Sequence, residues 1–126
     1  MKIRYRSLFL RLSALAMLGM AASGQAAEPV RIGVAVGLSG ANSVVAPAVV
    51  QSSQLAIEQI NAAGGILGRQ VVLEIADDAS SAVGAQKAYD TLVFQKKVDA
   101  IIAMETSAAR NAALPIINRG KVPYIY

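Results

Sequence analysis

The 126-residue chain contains neither cysteine nor histidine. Within these residues there is therefore no histidine general base, no thiol nucleophile and no ordinary zinc ligand set, which excludes most hydrolase designs. The lack of cysteine also rules out disulfides. That suits an exported protein held by its core alone, but equally a cytoplasmic one. Carboxylates are the acid–base groups left, and the chain has only 8, scattered apart from the adjacent pair Asp77-Asp78. The pair falls where a strand should give way to a helix, with too few oxygen donors nearby for a calcium loop. It reads as solvated helix-start charge, and no metal, cofactor or catalytic residue is expected.

Acidic charge is absent before Glu28, whereas Lys2, Arg4, Arg6 and Arg11 are all basic. An apolar run from Leu12 to Ala22 follows, and then Ser23-Gly24-Gln25-Ala26-Ala27. This order of regions is that of a secretory signal. The run falls well short of the ~20 apolar residues that cross a bilayer as a helix, so no stable membrane span is expected. Cleavage after Ala26 places Gly24 and Ala26 at the two small-residue positions, and no cysteine is present to carry a lipid. The expected organisation is thus 1–26 signal peptide and 27–126 mature chain, released outside the cytoplasm. Of the 12 basic residues four lie in the signal, leaving eight against the 8 acidic ones. The mature part is neutral, so the basic overall balance is a targeting signature and no nucleic-acid partner is expected.

After the signal the pattern is regular. Val30 to Gly37 is a continuous apolar run rich in β-branched residues, as in a strand buried on both faces of a parallel sheet. A helix is predicted from about Pro47 to Ala63, with Pro47 in its first turn, Val49, Ser53, Ile57 and Ile60 at helical spacing, and Gly64-Gly65 as a left-handed stop. Gln70 to Ala76 reads as a strand whose partial alternation places it near an edge. Ser80 or Ser81 can cap a helix reaching Gln95, with Ala85, Ala88, Tyr89 and Leu92 as its apolar stripe. Val98 to Ala103 is a third strand, Ser107 to Arg119 a helix interrupted by Pro115, and Val122 to Tyr126 a fourth strand.

Strands alternating with helices predict right-handed crossovers and a doubly wound α/β sheet of order 2-1-3-4. In that order the chain reverses direction between strands 1 and 3, and a ligand crevice forms at their carboxyl ends. The loops there run from Leu38 to Ala46 and from Met104 to Ser107. Thr106 and Ser107 end a strand and open a helix, where hydroxyls and free N–H groups meet the positive end of the helix dipole. Plain helix capping explains the same residues. The glycines of Gly64-Gly65-Ile-Leu-Gly68-Arg69 lack the Lys-Ser/Thr of a phosphate-binding loop, and Gly33, Gly37 and Gly40 lack dinucleotide spacing, so both groups read as turns.

Val30-Arg-Ile-Gly-Val-Ala-Val-Gly-Leu-Ser-Gly40, Glu58-Gln-Ile-Asn-Ala-Ala-Gly-Gly-Ile-Leu-Gly-Arg69, Asp77-Asp78-Ala-Ser80 and Thr106-Ser107 occur in an order that resembles one family. It is the periplasmic amino-acid and amide substrate-binding proteins of ABC importers, which includes the leucine/isoleucine/valine-binding proteins. The resemblance runs from about Val30 to Tyr126 and implies the amino-terminal half of lobe 1 of a two-lobed type I periplasmic binding protein. It further implies a periplasmic location, a small-molecule ligand (amino acid, amide or urea) held between the lobes, and an inner-membrane ABC permease as partner. Thr106-Ser107-Ala-Ala-Arg110 followed by Leu114-Pro115 resembles the amide and urea branch. In the family a serine matching Ser107 hydrogen-bonds the ligand's carboxylate or amide group, which assigns Ser107, with Thr106 and Tyr126 beside it, to the ligand. Ser39-Gly40 matches the family's Ser-Gly turn, so Ser39 joins the candidates. Val44-Val45-Ala46 departs from the aromatic or polar residue usual there, which leaves Val45 either an apolar wall against the ligand or packing for its own lobe. A ligand-sensing domain of a receptor or regulator is the alternative that the same fold allows.

Overall fold

The computed structural model describes residues 27–126, and the expected signal peptide lies outside them. Strand β1 (Val30–Val36) leads through a 3-10 turn at Gly40–Asn42 to helix α1 (Ala46–Ala62) and strand β2 (Val71–Asp77). Helix α2 (Ala82–Asp90) continues as a π-helical turn, Thr91–Gln95, before strand β3 (Ala100–Met104), helix α3 (Ser107–Gly120) and strand β4 (Tyr124–Ile125). The four strands are parallel in the order β2-β1-β3-β4, as the alternating pattern predicts. β1 pairs on both sides, with Val36 opposite Asp77 of β2 and Met104 of β3.

Helices cover both faces of the sheet. Against one face α2 and α3 bury Tyr89, Leu92, Ala109 and Ile117 on Ala35 and Ile101, forming the main core. The other face carries a smaller core in which Ala46 of α1 meets Val34 and Val36, with Leu73 and Ile75 partly buried beside them. Complete burial of an aliphatic side chain such as Leu92 or Ile101 contributes about 1.5–3 kcal/mol. The main core therefore carries most of the hydrophobic stabilisation.

The predicted boundaries shift where local hydrogen bonding intervenes. α2 opens at Ala82 because Ser81, not Ser80, is its cap: the Ser81 hydroxyl accepts from the Gly84 N–H at 3.0 Å. The single helix expected to reach Gln95 turns π-helical after Asp90, with the Lys96 N–H donating to the Thr91 carbonyl five residues back. Val98 then donates to the Leu92 carbonyl and packs into the core, so β3 begins later than expected, at Ala100. β4 is shorter than expected because Pro123 has no N–H and offers only its carbonyl, to Ile101. Gly64 and Gly65 adopt φ of 102° and 76° and stop α1 as predicted. Just before them, Asn61 bonds both backbone groups of Val71: its Oδ1 accepts from the Val71 N–H at 2.7 Å, and its Nδ2 donates to the Val71 carbonyl at 2.9 Å. Among the described residues no helix is long and apolar enough to cross a membrane.

Candidate functional site

The carboxyl ends of the strands gather the polar groups into two adjoining clusters. At the β3–α3 junction Thr106 is the N-cap, its Oγ1 accepting from the Ala109 N–H at 3.2 Å. Capping thus accounts for Thr106. Ser107 is the first helical residue and is exposed, with its Oγ 3.4 Å from the Tyr126 hydroxyl. That hydroxyl also donates to the Glu105 carbonyl at 3.4 Å, and the Tyr126 ring stacks on Tyr124 at a centroid distance of 6.4 Å. The Arg110 guanidinium lies 4.7 Å from the centre of the Tyr126 ring. Two hydroxyls, a cation and the unpaired N–H groups of the first helical turn are therefore brought together. Such a set suits a carboxylate or carbonyl oxygen.

Glu105 lies beneath this surface. Its Oε1 accepts from the Tyr89 hydroxyl at 2.8 Å and from the Tyr124 hydroxyl at 2.5 Å, while its Oε2 is buried without a partner. Desolvation pushes the carboxyl above its ordinary range against the opposing pull of the two tyrosines. Burial likewise pushes the Tyr89 and Tyr124 hydroxyls up, so both remain donors. Sequence reasoning missed Glu105. Its signal was a lone carboxylate between an apolar strand and a Thr-Ser cap.

Ser39 anchors the second cluster, at the ends of β1 and β2. Its hydroxyl donates to Asp77 Oδ2 at 2.7 Å and its N–H to Asp77 Oδ1 at 3.2 Å, while Ala79 N–H donates to the same Oδ1 at 2.8 Å. The Ser39 hydroxyl foremost holds the Asp77 carboxyl below the usual range. The reading of Asp77-Asp78 as solvated helix-start charge is corrected here: Asp78 is 0% exposed and lies four residues ahead of α2. Its Oδ1 accepts from the Ser80 N–H at 2.7 Å, its Oδ2 is buried without a partner, and desolvation pushes its carboxyl up. Ser80, at φ 52°, donates to the Ser39 carbonyl and accepts from the Asn42 N–H, both at 2.9 Å. The aspartates and Ser80 thus brace the first loop. Val45 sits at the start of α1, 47% exposed, next to the 88% exposed Val44, so the loop presents these side chains to solvent.

Ser107, Thr106 and Tyr126 therefore converge at the ends of β3 and β4, whereas Ser39 is bound to Asp77 and Val45 lies where the first loop enters α1. A groove of about 530 Å³ lies at the opposite, amino end of the sheet, lined by Arg31, Arg69, Glu74, Lys96 and Asp99 among others. Its charges satisfy one another, Glu74 pairing with Arg31 at 3.0 Å and Lys96 at 3.4 Å.

Comparison with known proteins agrees with this fold. The family model described as periplasmic binding protein matches residues 29–126. Leu/Ile/Val-binding protein homolog 8 of Brucella abortus is 34% identical over 91% of this chain and 30% of its own length. Leu/Ile/Val-binding protein BraC3 of Rhizobium johnstonii is 38% identical over 54% of this chain and 18% of its own. Among solved structures, the branched-chain amino acid transporter substrate-binding protein LivJ of Streptococcus pneumoniae, in complex with isoleucine, superposes with a TM-score of 0.72 and 34% identity. That superposition covers 77% of this chain and 28% of the other. The chain spans less than a third of the length of these relatives.

Proposed function

Because the chain belongs to the periplasmic binding protein family, we propose that residues 27–126 form the amino-terminal part of lobe 1 of an extracytoplasmic substrate-binding protein, which delivers a small ligand to an inner-membrane ABC permease. The protein binds and releases; no bond is made or broken. The carrying observation is the convergence of Ser107, Tyr126, Arg110 and the α3 N-terminus at the switch point of the sheet. These groups suit the carboxylate of an amino acid. The exposed apolar side chains of Leu38 and Val45 on the neighbouring loop suit an aliphatic side chain. Relatives named for leucine, isoleucine and valine support that ligand class over the amides and urea suggested by Thr106 to Pro115. Ser39, with its hydroxyl committed to Asp77, shapes the loop and offers the ligand its remaining lone pair.

Calorimetric titration of the intact protein with leucine, isoleucine, valine, acetamide and urea tests this reading. Ser107→Ala should weaken binding of the preferred ligand by about 1–3 kcal/mol, the cost of leaving a desolvated polar partner unsatisfied. Ser81→Ala removes a true cap and should lower stability by about 1 kcal/mol with affinity unchanged. Ser80 is unsuitable as a control because its hydroxyl braces the first loop. Equal affinity in the two variants would place the site elsewhere, and binding of urea or acetamide alone would overturn the amino-acid assignment.

A further inference from the structure

Asp78 and Glu105 follow the carboxyl ends of β2 and β3, the two strands that flank β1. β1 pairs Val36 with Asp77 on one side and with Met104 on the other, and the Asp78 N–H still donates to the Val36 carbonyl, so Asp78 and Glu105 directly follow the strand ends that flank Gly37. Side chains alternate along each strand, and Ala35, Ala76 and Ala103 belong to the core beneath α2 and α3. Glu105 turns toward that core, where Tyr89 and Tyr124 donate to it, and Asp78 lies within electrostatic reach of it. Strands lie about 4.8 Å apart, which sets the two acidic residues roughly 10 Å apart at the backbone with only a glycine between them. Asp78 already reaches over that glycine: its Oδ1 is 3.2 Å from where a Cβ at Gly37 would stand. Each carboxyl uses one oxygen, for Ser80 N–H on one side and for the tyrosine hydroxyls on the other. Oδ2 and Oε2 remain buried and unpartnered.

We propose that Asp78 and Glu105 share one proton, and that this acid–carboxylate pair ties together the two loops of the crevice. One O–H between them gives both orphan oxygens a partner and avoids burying two like charges side by side. The other titratable and charged groups facing the pair are Tyr89 from α2, Tyr124 from β4, Arg110 from α3 and Asp77 at the end of β2. The tyrosines donate to Glu105, and Arg110 is engaged with Tyr126 and Asn111. Through Ser80 the pair reaches Ser39 and Asn42, and through Glu105 it reaches Tyr124 and the Thr106-Ser107 junction. Burial raises both carboxyls above their unfolded values. The stability from the shared proton is therefore full below the ordinary carboxylate pKa of about 4 and is lost as pH rises through the folded value.

The inference holds whatever ligand the protein carries, and its test needs none. Infrared spectra of the intact protein at about pH 6, well above the ordinary carboxylate range, should show a protonated-carboxyl carbonyl band. Glu105→Gln keeps an acceptor for both tyrosines and an N–H toward Asp78, and Asp78→Asn does the converse. Each substitution alone should abolish the band and flatten the fall of melting temperature with rising pH. In the unsubstituted protein, the 13C-labelled carboxyl resonances of both residues should shift at one common midpoint, a readout that survives if a variant fails to fold. A missing band, a band lost in only one variant, or two independent midpoints would each overturn the shared proton.

Discussion

Gly37→Ala tests whether the junction between the two clusters is as tightly built as it looks. A Cβ there would run into the Ser80 hydroxyl and come within 2.9 Å of Asn42 Cβ and 3.2 Å of Asp78 Oδ1. Backbone conformation is not the obstacle, since Gly37 lacks a left-handed φ; the obstacle is space. If the surroundings shift to admit the methyl group, overpacking costs about 1–3 kcal/mol. If the Ser80 hydroxyl instead rotates away, its bonds to the Ser39 carbonyl and the Asn42 N–H are lost, at about 0.5–1.5 kcal/mol each. Both routes converge on a loss of roughly 1–3 kcal/mol, read as a lower urea midpoint at unchanged slope. The routes share an atom, so the loss should be non-additive: on a Ser80→Ala background the hydroxyl is gone and Gly37→Ala should cost less. Hydrogen exchange should localise the damage to the Asn42 amide. A cost below about 0.5 kcal/mol, or strict additivity with Ser80→Ala, would show that the junction has slack and refute this account.

Asp77 gives a pH dependence of opposite sign to that of the buried pair. Its folded pKa is lowered, foremost by the Ser39 hydroxyl, so the stabilisation is present above the ordinary carboxylate pKa of about 4 and lost as pH falls below it. In acid titrations followed by circular dichroism, Ser39→Ala should unfold with a shallower dependence in that range, and an unchanged profile would exclude the bond as its source. Export makes a separate prediction: amino-terminal sequencing of the fractionated protein should begin at Ala27, and intact Met1 in the cytosol would refute the signal.

The β-branched run of β1, the Pro47 start and Gly64-Gly65 stop of α1, and the alternation of β2 announce the sheet order because each is a local preference that the tertiary fold endorses. Capping was less legible. Ser80-Ser81 and Thr106-Ser107 each offer two adjacent hydroxyls, and which one caps depends on where the backbone leaves the extended region, at Ser81 and at Thr106. The carboxylates misled for a different reason. Nothing local distinguishes Asp77, exposed and paired to Ser39, from Asp78, buried against the end of β1, because strand pairing alone decides which side of the chain each faces. Glu105 was hidden in the same way, since Tyr89 and Tyr124 reach it only once α2 and β4 are in place.

The amide of Asn61 imitates a peptide unit. The Gln70 carbonyl accepts from Val30 of β1, so by alternation the backbone groups of Val71 point outward from the sheet, and Asn61 supplies the donor and the acceptor that a neighbouring strand would have brought. The outer edge of β2 is thereby closed at its first residue to any other polypeptide in search of a partner. This closure needs an amide and not an acid. Slow deamidation of Asn61 to aspartate would turn the donating nitrogen into an oxygen facing the Val71 carbonyl, exchanging an attraction for a repulsion. Ageing of the purified protein would then first expose a sticky strand end, well away from the crevice and without altering a single ligand contact.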